Sequence, residues 1–490
     1  MVKKMQTNPA GSEGEDGFPA DFLIVLDRSR SRGLRVQLEH ALREAIRLGR
    51  LPSGSTMPPS RALASELRIS RSVVVEAYDQ LVAEGYLVAR RGSATRVRGP
   101  GHVDRPHPDS MRWDGISGAF PSGLPDPASF PKHDWLRHYQ AVLSDPPAGA
   151  FGYPDPRGSE PLRHALAQYL GRVRAVRTTP EQVLVCGGFS QGLGLVCRAL
   201  RRRGASRIAV EDPCLSLHRR LISAAGLEPV PVPVDDDGID VSGLARASVD
   251  AVLVAPAHSF PTGAVLSPDR RVALIELARA GGVLLIEDDY DAEFRYDRTP
   301  IGALQGLSPG HVVYAGSASK MLSPALRLGW LAAPPWLMDD LRRAKLLDDV
   351  ATETLSQLTL ARFIDRGALA THLRRMRPRY RRRRDRLIDA LARHVPQATP
   401  AGAAAGLHVY LRLPRFVVES AVVEAARLHG VHVDGAARHW ATPTAAPPAV
   451  LIGYATLEED EVEQTVRALG AAIGTATLRP GGCPPGTDTS

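Results

Sequence analysis

The sequence predicts an α/β protein in two parts: a small basic helical module closed by a hairpin, then a large, mainly parallel α/β domain. Three observations carry this expectation. At 490 residues the chain exceeds what one ordinary core holds. Residues 22–98 contain fourteen arginines against seven carboxylates, a net +7 in a chain whose formal net charge is +8. Beyond Phe120, short apolar runs alternate with helix-like segments, the rhythm of a parallel sheet covered on both faces.

Composition narrows the class. Cys186, Cys197, Cys214 and Cys483 form no CxxC pair, which favours reduced thiols over a disulfide frame or a zinc site. No stretch approaches the roughly 18–20 apolar residues of a membrane span. Met1-Val2-Lys3-Lys4 leads into a polar tract without an apolar secretory region. A cytoplasmic protein is expected, with disorder in the first twenty residues and in 477–490.

In the first module, Leu38, Ala41, Leu42, Ala45 and Ile46 recur at helical spacing between Leu34 and about Arg47, and Gly49 and Pro52 end that helix. After Pro58-Pro59, Ser60 is the expected N-cap of a short helix to about Leu67. A three-residue turn leads to Ser70, which opens a longer helix with Val73, Val74, Ala77, Tyr78, Leu81 and Val82 inward, ending at Gly85. Residues 86–97 alternate like two strands around a glycine turn.

This order is that of a winged helix, whose second motif helix enters the DNA major groove by its amino end. Ser70, Arg71 and Ser72 stand at that end. An arginine there can read guanine O6 and N7, and the hydroxyls suit phosphates. Arg61 begins the preceding helix, and Arg90, Arg91 and Arg96 decorate the wing. Any one of them alone reads as an exposed charge; gathered on one small basic fold they point to double-stranded DNA. The run from Leu51-Pro52-Ser53-Gly54 through Pro58-Pro59-Ser60-Arg61 to Ser70-Arg71-Ser72-Val73-Val74 resembles the GntR-type winged helix. That resemblance implies DNA contacts at Arg61, Arg71 and the Gly92 wing tip. Residues 22–98 are thus the DNA-binding domain, and 99–118, rich in Pro, Gly and His, are read as a tether.

In the large domain, residues 119–476, buried strands are expected at Val183–Val185, Ile208–Val210, Ala251–Ala255, Val283–Ile286, Val312–Ala315 and Leu328–Ala332. Ligands of such sheets bind beyond the carboxyl ends of the strands, and three polar motifs fall there. Cys186-Gly187-Gly188-Phe189-Ser190-Gln191-Gly192 follows a strand and opens a helix; glycines let backbone amides approach an anion such as phosphate, although packing turns use the same residues. In Glu287-Asp288-Asp289-Tyr290-Asp291, Asp288 can hold a pyridine nitrogen protonated and Tyr290 can meet a phenolic oxygen. A metal site is the competing reading of this acidic cluster, disfavoured because the motif lacks a histidine. In Gly316-Ser317-Ala318-Ser319-Lys320, the lysine amine can condense with an aldehyde, while Ser317, Ser319 and Arg327 can hold a phosphate. An aldehyde, a pyridine ring and a phosphate together describe pyridoxal 5'-phosphate (PLP).

These motifs, with Phe151-Gly152-Tyr153-Pro154, His258-Ser259-Phe260-Pro261-Thr262-Gly263 and Leu326-Arg327-Leu328-Gly329-Trp330, resemble PLP enzymes of the aspartate aminotransferase fold, fold type I, from about Phe120 to Leu457. Joined to a GntR-type winged helix, the chain resembles the MocR family of transcriptional regulators. The resemblance implies PLP held covalently by Lys320, with small amines or B6 vitamers modulating DNA binding in a head-to-tail homodimer.

Four positions depart from the enzymes or from the family. Phe260 stands where aminotransferases carry an asparagine for the phenolic oxygen. Leu451-Ile452-Gly453-Tyr454 lacks the arginine that clamps a substrate α-carboxylate, Leu215 replaces a ring-stacking tyrosine, and Ser259 replaces a common glutamine. A PLP-dependent regulator that uses its aminotransferase-like domain for effector sensing and dimerisation is therefore preferred, with no catalytic residue assigned. An active aminotransferase tethered to DNA, and a DNA-binding protein whose large domain only dimerises, are the alternatives. Nine arginines between Arg374 and Arg386 read as a solvated helical face with packing roles ahead of a second DNA contact.

Overall fold

The computed structural model describes residues 24, 26–27, 33–89, 93–98, 123–296, 301–402 and 405–476. The expected tether 99–118, the termini, Cys483, and Arg90, Arg91 and Gly92 of the wing lie outside them. The chain divides into two compact units, Met1–Arg112 and Trp113–Ser490.

The first unit contains α1 (Leu34–Arg47), α2 (Ser60–Leu67), α3 (Arg71–Ala83), β1 (Leu87–Val88) and β2 (Arg96–Val97). The strands pair antiparallel, Leu87 opposite Val97. Leu38, Leu42 and Ile46 of α1, Leu63 of α2 and Val74, Ala77 and Leu81 of α3 share one buried core with Leu87 and Val97. Each leucine fully buried there contributes about 1.5–3 kcal/mol. The Tyr78 hydroxyl donates to the Pro58 carbonyl at 3.0 Å, fixing α3 to the Pro58-Pro59 corner. Ser60 is not the N-cap: it is the first helical residue, and Pro59, at φ −54° and ψ 138°, holds the capping position. The fixed proline ring sets the extended entry that a capping side chain would otherwise stabilise.

The second unit is built on an eight-stranded sheet in the order β3-β10-β9-β8-β7-β4-β5-β6. These are β3 (Val183–Cys186), β4 (Arg207–Asp212), β5 (Glu228–Asp235), β6 (Gly238–Ile239), β7 (Ala251–Val254), β8 (Leu284–Asp289), β9 (Val312–Ser317) and β10 (Gly329–Ala332). The pairs β4·β5, β4·β7, β7·β8 and β8·β9 are parallel, and β10 runs against both its neighbours. Strand alternation sends successive residues to opposite faces. Leu184, Ile286, Val313 and Leu331 meet the Phe189–Arg202 and Pro335–Asp349 helices, whereas Val183, Val185, Tyr314 and Trp330 meet the Glu160–Arg174 and Thr354–Asp365 helices.

The sheet holds more strands than the six apolar runs. Glu228–Asp235 reads EPVPVPVD, and its prolines argue against a strand. In the pairing with β4 the alternate residues Glu228, Val230 and Val232 face β4, so Pro229, Pro231 and Pro233 present their missing N–H to the sparsely paired side. A second, four-stranded antiparallel sheet, β11 (Thr399–Ala401), β12 (His408–Arg412), β13 (Asp434–Gly435) and β14 (Ala449–Gly453), was not legible in the sequence.

The arginine run lies on the Ala368–His394 helix and is largely engaged within the chain. Arg383 is 1% exposed, pairs with Asp126 at 3.1 Å and donates to the Ala455 carbonyl. Arg384 stacks on Tyr296, Arg379 pairs with Asp126, and Arg382 and Arg386 pair with Glu459. These contacts favour the packing role.

One buried ion pair ties the helix layer to the sheet. Arg174 grips Asp289 of β8 through Nε at 2.7 Å and Nη2 at 3.0 Å, both side chains nearly inaccessible, and Tyr314 donates to the same carboxylate at 2.6 Å. Arg174→Met leaves Asp289 buried and unpaired, and should lower the stability of the large unit by about 3–5 kcal/mol. Adding Asp289→Asn should recover part of the loss, measured as the shift in denaturant midpoint.

Candidate functional site

The polar motifs converge at the carboxyl edge of the sheet. Gly188, between β3 and the Phe189–Arg202 helix, adopts φ 95° and ψ 175°, a conformation that glycine alone adopts without strain. A Cβ there would stand 3.3 Å from both terminal nitrogens of Arg327. Arg327 is itself left-handed at φ 50°, which turns its guanidinium onto the loop, where it donates to the Gly187 carbonyl. Gly329 pairs with Ser317 on one side and Cys186 on the other, so the three loops share one register. The Ser319 amide donates to the Ser317 hydroxyl at 3.1 Å, and the two hydroxyls lie 2.8 Å apart. Gly188, Phe189 and Ser190 begin the helix here, so its unpaired amides and dipole join the guanidinium and hydroxyls in one anion cup.

A buried network supports this cup that the sequence did not single out. Gln191 Oε1 accepts from the Gly187 amide at 2.6 Å and from Lys345 Nζ at 3.3 Å, and Lys345, fully buried, pairs with Asp349 at 2.6 Å. Gln191 was visible in the glycine motif, but Lys345 lies on another helix and carried no local signal.

β8 settles the acidic cluster by its pleat. Glu287 and Asp289 face one side: Glu287 accepts from the Leu304 and Gln305 amides at 2.9 and 3.0 Å, and Asp289 meets Arg174. Asp288 faces the other, with His218 Nε2 3.9 Å from one oxygen and no hydrogen-bond partner on the other, Oδ1. Burial, reinforced by Asp289, Asp291 and Glu211, pushes the Asp288 carboxyl well above its usual range, while Lys320 pulls it down. No group of three metal-ligating side chains occurs among the described residues; alternation has separated the carboxylates that a metal would have to share.

Lys320 stands one turn beyond β9, in the Ala318–Met321 helix. Burial lowers its pKa, against the pull of Asp291 and Asp288, which favours the neutral, nucleophilic amine. The Tyr290 hydroxyl lies 3.0 Å from His258 Nδ1 and also bonds the Asp291 carboxylate. His258 Nδ1 reaches Asp291 at 2.8 Å and Nε2 reaches the Gly402 carbonyl at 3.2 Å. Both partners only accept, so both ring nitrogens donate. Burial works against this charge, but Asp291 wins and holds the His258 pKa above its ordinary value. Tyr290 is thus anchored in a polar triangle, and His258 and Asp291 are participants that the motifs contained without an assigned role. Beside Asp288, a recess is lined by Glu211, Leu215, His218 and Phe260. Burial pushes Glu211 up to about 7 and His218 down to about 4.

In the small unit, Arg61, Ser70, Arg71 and Ser72 are all exposed. Ser70 occupies the N-cap position of α3, its hydroxyl 2.9 Å from that of Ser72. Arg71 Nε lies 3.4 Å from the Ser60 hydroxyl, which brings the starts of α2 and α3 together.

Residues 140–469 match the family "aminotransferase class I and II", and residues 34–97 match "bacterial regulatory proteins, gntR family". The chain is 30% identical to the probable rhizopine catabolism regulatory protein MocR of Rhizobium meliloti, over 94% of this chain and all of that one. It is also 30% identical to the pyridoxine biosynthesis transcriptional regulator PdxR of Corynebacterium glutamicum, over 93% and 99%. The chain belongs to the MocR family of transcriptional regulators. The fold of its large unit matches the multiple substrate aminotransferase of Thermococcus profundus, with a TM-score of 0.68 and 26% identity over 75% of this chain and 93% of that one. It also matches LysN of Thermus thermophilus, an alpha-aminoadipate aminotransferase solved with N-(5'-phosphopyridoxyl)-L-leucine, with a TM-score of 0.66 and 26% identity over 73% and 92%.

This MocR-family regulator therefore binds DNA through its GntR unit, and its large unit takes pyridoxal 5'-phosphate. The residues present fit that cofactor. Asp288 Oδ1 is a buried acceptor without a donor, which a protonated ring nitrogen would supply. Gly188 leaves open the space beside Arg327 that a side chain would fill. Asp288→Asn should weaken PLP retention by about 10- to 100-fold, because the pyridinium loses a charge-assisted hydrogen bond. Titrating the apoprotein with PLP and following visible absorption measures it.

Proposed function

We propose that this chain is a cytoplasmic, homodimeric transcriptional regulator in which the PLP-bearing large unit senses a small amine or B6 vitamer and sets the affinity of the winged helices for DNA. The observation that carries this reading is the unpartnered Asp288 oxygen within electrostatic reach of the buried Lys320 amine, in a chain that also presents Arg71 at an exposed helix start. Relatives named for rhizopine catabolism and pyridoxine biosynthesis support a small-molecule effector.

Bound PLP supplies an aldehyde that reacts reversibly with primary amines. Lys320 provides the resident amine. Ser317, Ser319, Arg327 and the Gly188-Phe189-Ser190 helix start would hold the phosphate, Asp288 would keep the ring nitrogen protonated, and Tyr290, on its His258 and Asp291 anchor, would serve the phenolic oxygen. An incoming amine competes with Lys320, altering charge in a recess already crowded with Glu211, Asp288 and Asp291. It can bias DNA binding only through different affinity for two arrangements of the dimer. On the DNA side, Arg71 reads a base edge, Arg61, Ser70 and Ser72 meet phosphates, and Arg91 and Gly92 form the wing contact.

Two measurements test this reading. Purified wild type should absorb in the visible and Lys320→Ala should not, and saturating PLP or amine should change the affinity for DNA fragments selected by the protein at fixed salt. Unchanged affinity defeats the sensor, and steady turnover of an amino acid and keto acid pair establishes the tethered aminotransferase instead. Arg71→Ala should weaken binding to the selected fragments by about 1–3 kcal/mol and relax specificity at one position, whereas Arg61→Ala should weaken all sequences alike and reduce the salt slope by about one.

A further inference from the structure

The space beside Lys320 has a chemical character of its own. A Cβ built on Gly123 would stand 3.9 Å from Lys320 Nζ and 3.9 Å from His408 Nδ1, so these two atoms flank one point. His408 is 1% exposed. Its Nε2 lies 3.1 Å from the Pro261 carbonyl, which only accepts, so Nε2 carries the proton and Nδ1 presents a lone pair. That Nδ1 is buried and has no hydrogen-bond partner. Burial holds the ring pKa down to about 4, so the acceptor persists at neutral pH. Next to it the Phe260 ring packs 5.2 Å from His408 and 5.0 Å from His439, and Phe260 is backed by the buried apolar cluster of Leu451, Tyr410, Ala436 and Ala449.

Cationic donors nearby are already committed. The Arg219 guanidinium donates to the carbonyls of His439 and Trp440 at 2.8 and 2.9 Å. Both donors of His258 are taken by Asp291 and Gly402. Arg438 pairs with Asp434 at 3.1 Å. The described residues that line the recess include the carboxylates Glu211 and Asp288 and neither arginine nor lysine. An anionic group placed beside His408 Nδ1 would meet a lone pair and an aromatic ring, and Arg219 and Arg438 already have carbonyl or carboxylate partners.

We propose that this pocket selects an amine whose frame is apolar, with a hydrogen-bond donor for His408 Nδ1, and discriminates against ligands carrying an α-carboxylate. The inference rests on amines entering beside Lys320 as read above. It narrows the effector from any small amine to decarboxylated, hydrophobic ones.

Matched pairs test it on the full-length, PLP-loaded protein: phenethylamine against L-phenylalanine, and isoamylamine against L-leucine. The readouts are the visible spectrum of the bound cofactor and the affinity for selected DNA. Each amine should half-saturate the spectral change at a concentration at least about tenfold below its amino acid, the scale set by leaving a charge buried without a partner. His408→Phe should raise the half-saturation of 2-amino-1-phenylethanol, whose hydroxyl supplies the donor, by about tenfold and leave that of phenethylamine little changed, while the cofactor spectrum persists. Phe260→Arg, which adds a cation at the partly buried wall, should narrow the gap between the members of each pair. Amino acids that bind as tightly as their amines overturn the inference while a persisting cofactor spectrum leaves the sensor reading intact. A wild-type protein with no cofactor spectrum overturns the sensor reading itself.

Discussion

Three consecutive carboxylates on β8, all inside the protein, are the constraint on which the site depends. A strand sends alternate side chains to opposite faces, so Glu287 and Asp289 must be satisfied on one side and Asp288 on the other. The first two are: Glu287 by the amides of Leu304 and Gln305, Asp289 by Arg174 and Tyr314. Asp288 is not: it lines the recess, and its Oδ1 is buried without a donor. A buried acid left in this state is costly, and in the proposed reading a cationic ring nitrogen would relieve the cost. The same geometry that stabilises the sheet from behind thus creates the demand for a ligand in front.

The anion cup follows a related logic with opposite charge. Close approach of three chain segments is possible because Gly188, Gly316 and Gly329 carry no side chain; a Cβ on Gly329 would stand 2.8 Å from Gly188 Cα. That approach places Arg327, the serine hydroxyls and a helix start around one point. Lys345 and Asp349, tied to the loop through Gln191, hold the cup from below. In the proposed reading, Lys320, which feels the Asp288 and Asp291 carboxylates, is where the cofactor's aldehyde and a competing amine would meet.

The two units divide the work by exposure. In the small one, the arginines and serines at the starts of α2 and α3 face solvent above a closed leucine and valine core, available to a polyanion. In the large one, five of a run of nine arginines are tied to Asp126, Glu459 and Tyr296, with Arg383 and Arg384 buried. Arginine count by itself does not mark a DNA surface; a guanidinium with a buried carboxylate partner has already found its anion.

The sequence by itself determined the winged-helix order, the parallel core strands and the identity of the cofactor. Helical periodicity, apolar runs and the Gly, Asp-Asp-Tyr and Ser-x-Ser-Lys motifs are local signals, readable over a few residues. It missed β5, because prolines count against a strand unless one knows which side lacks a partner. It misplaced the cap at Ser60, because the preceding proline had already fixed the entry of the chain. Only the tertiary structure decided which of three adjacent acids is left for a ligand, that Lys345 supports the cup, and that His408 and Phe260 meet beside Lys320 across 60 to 88 positions of chain. Those relations depend on strand register and on the packing of distant elements, and neither is written in the neighbourhood of any one residue.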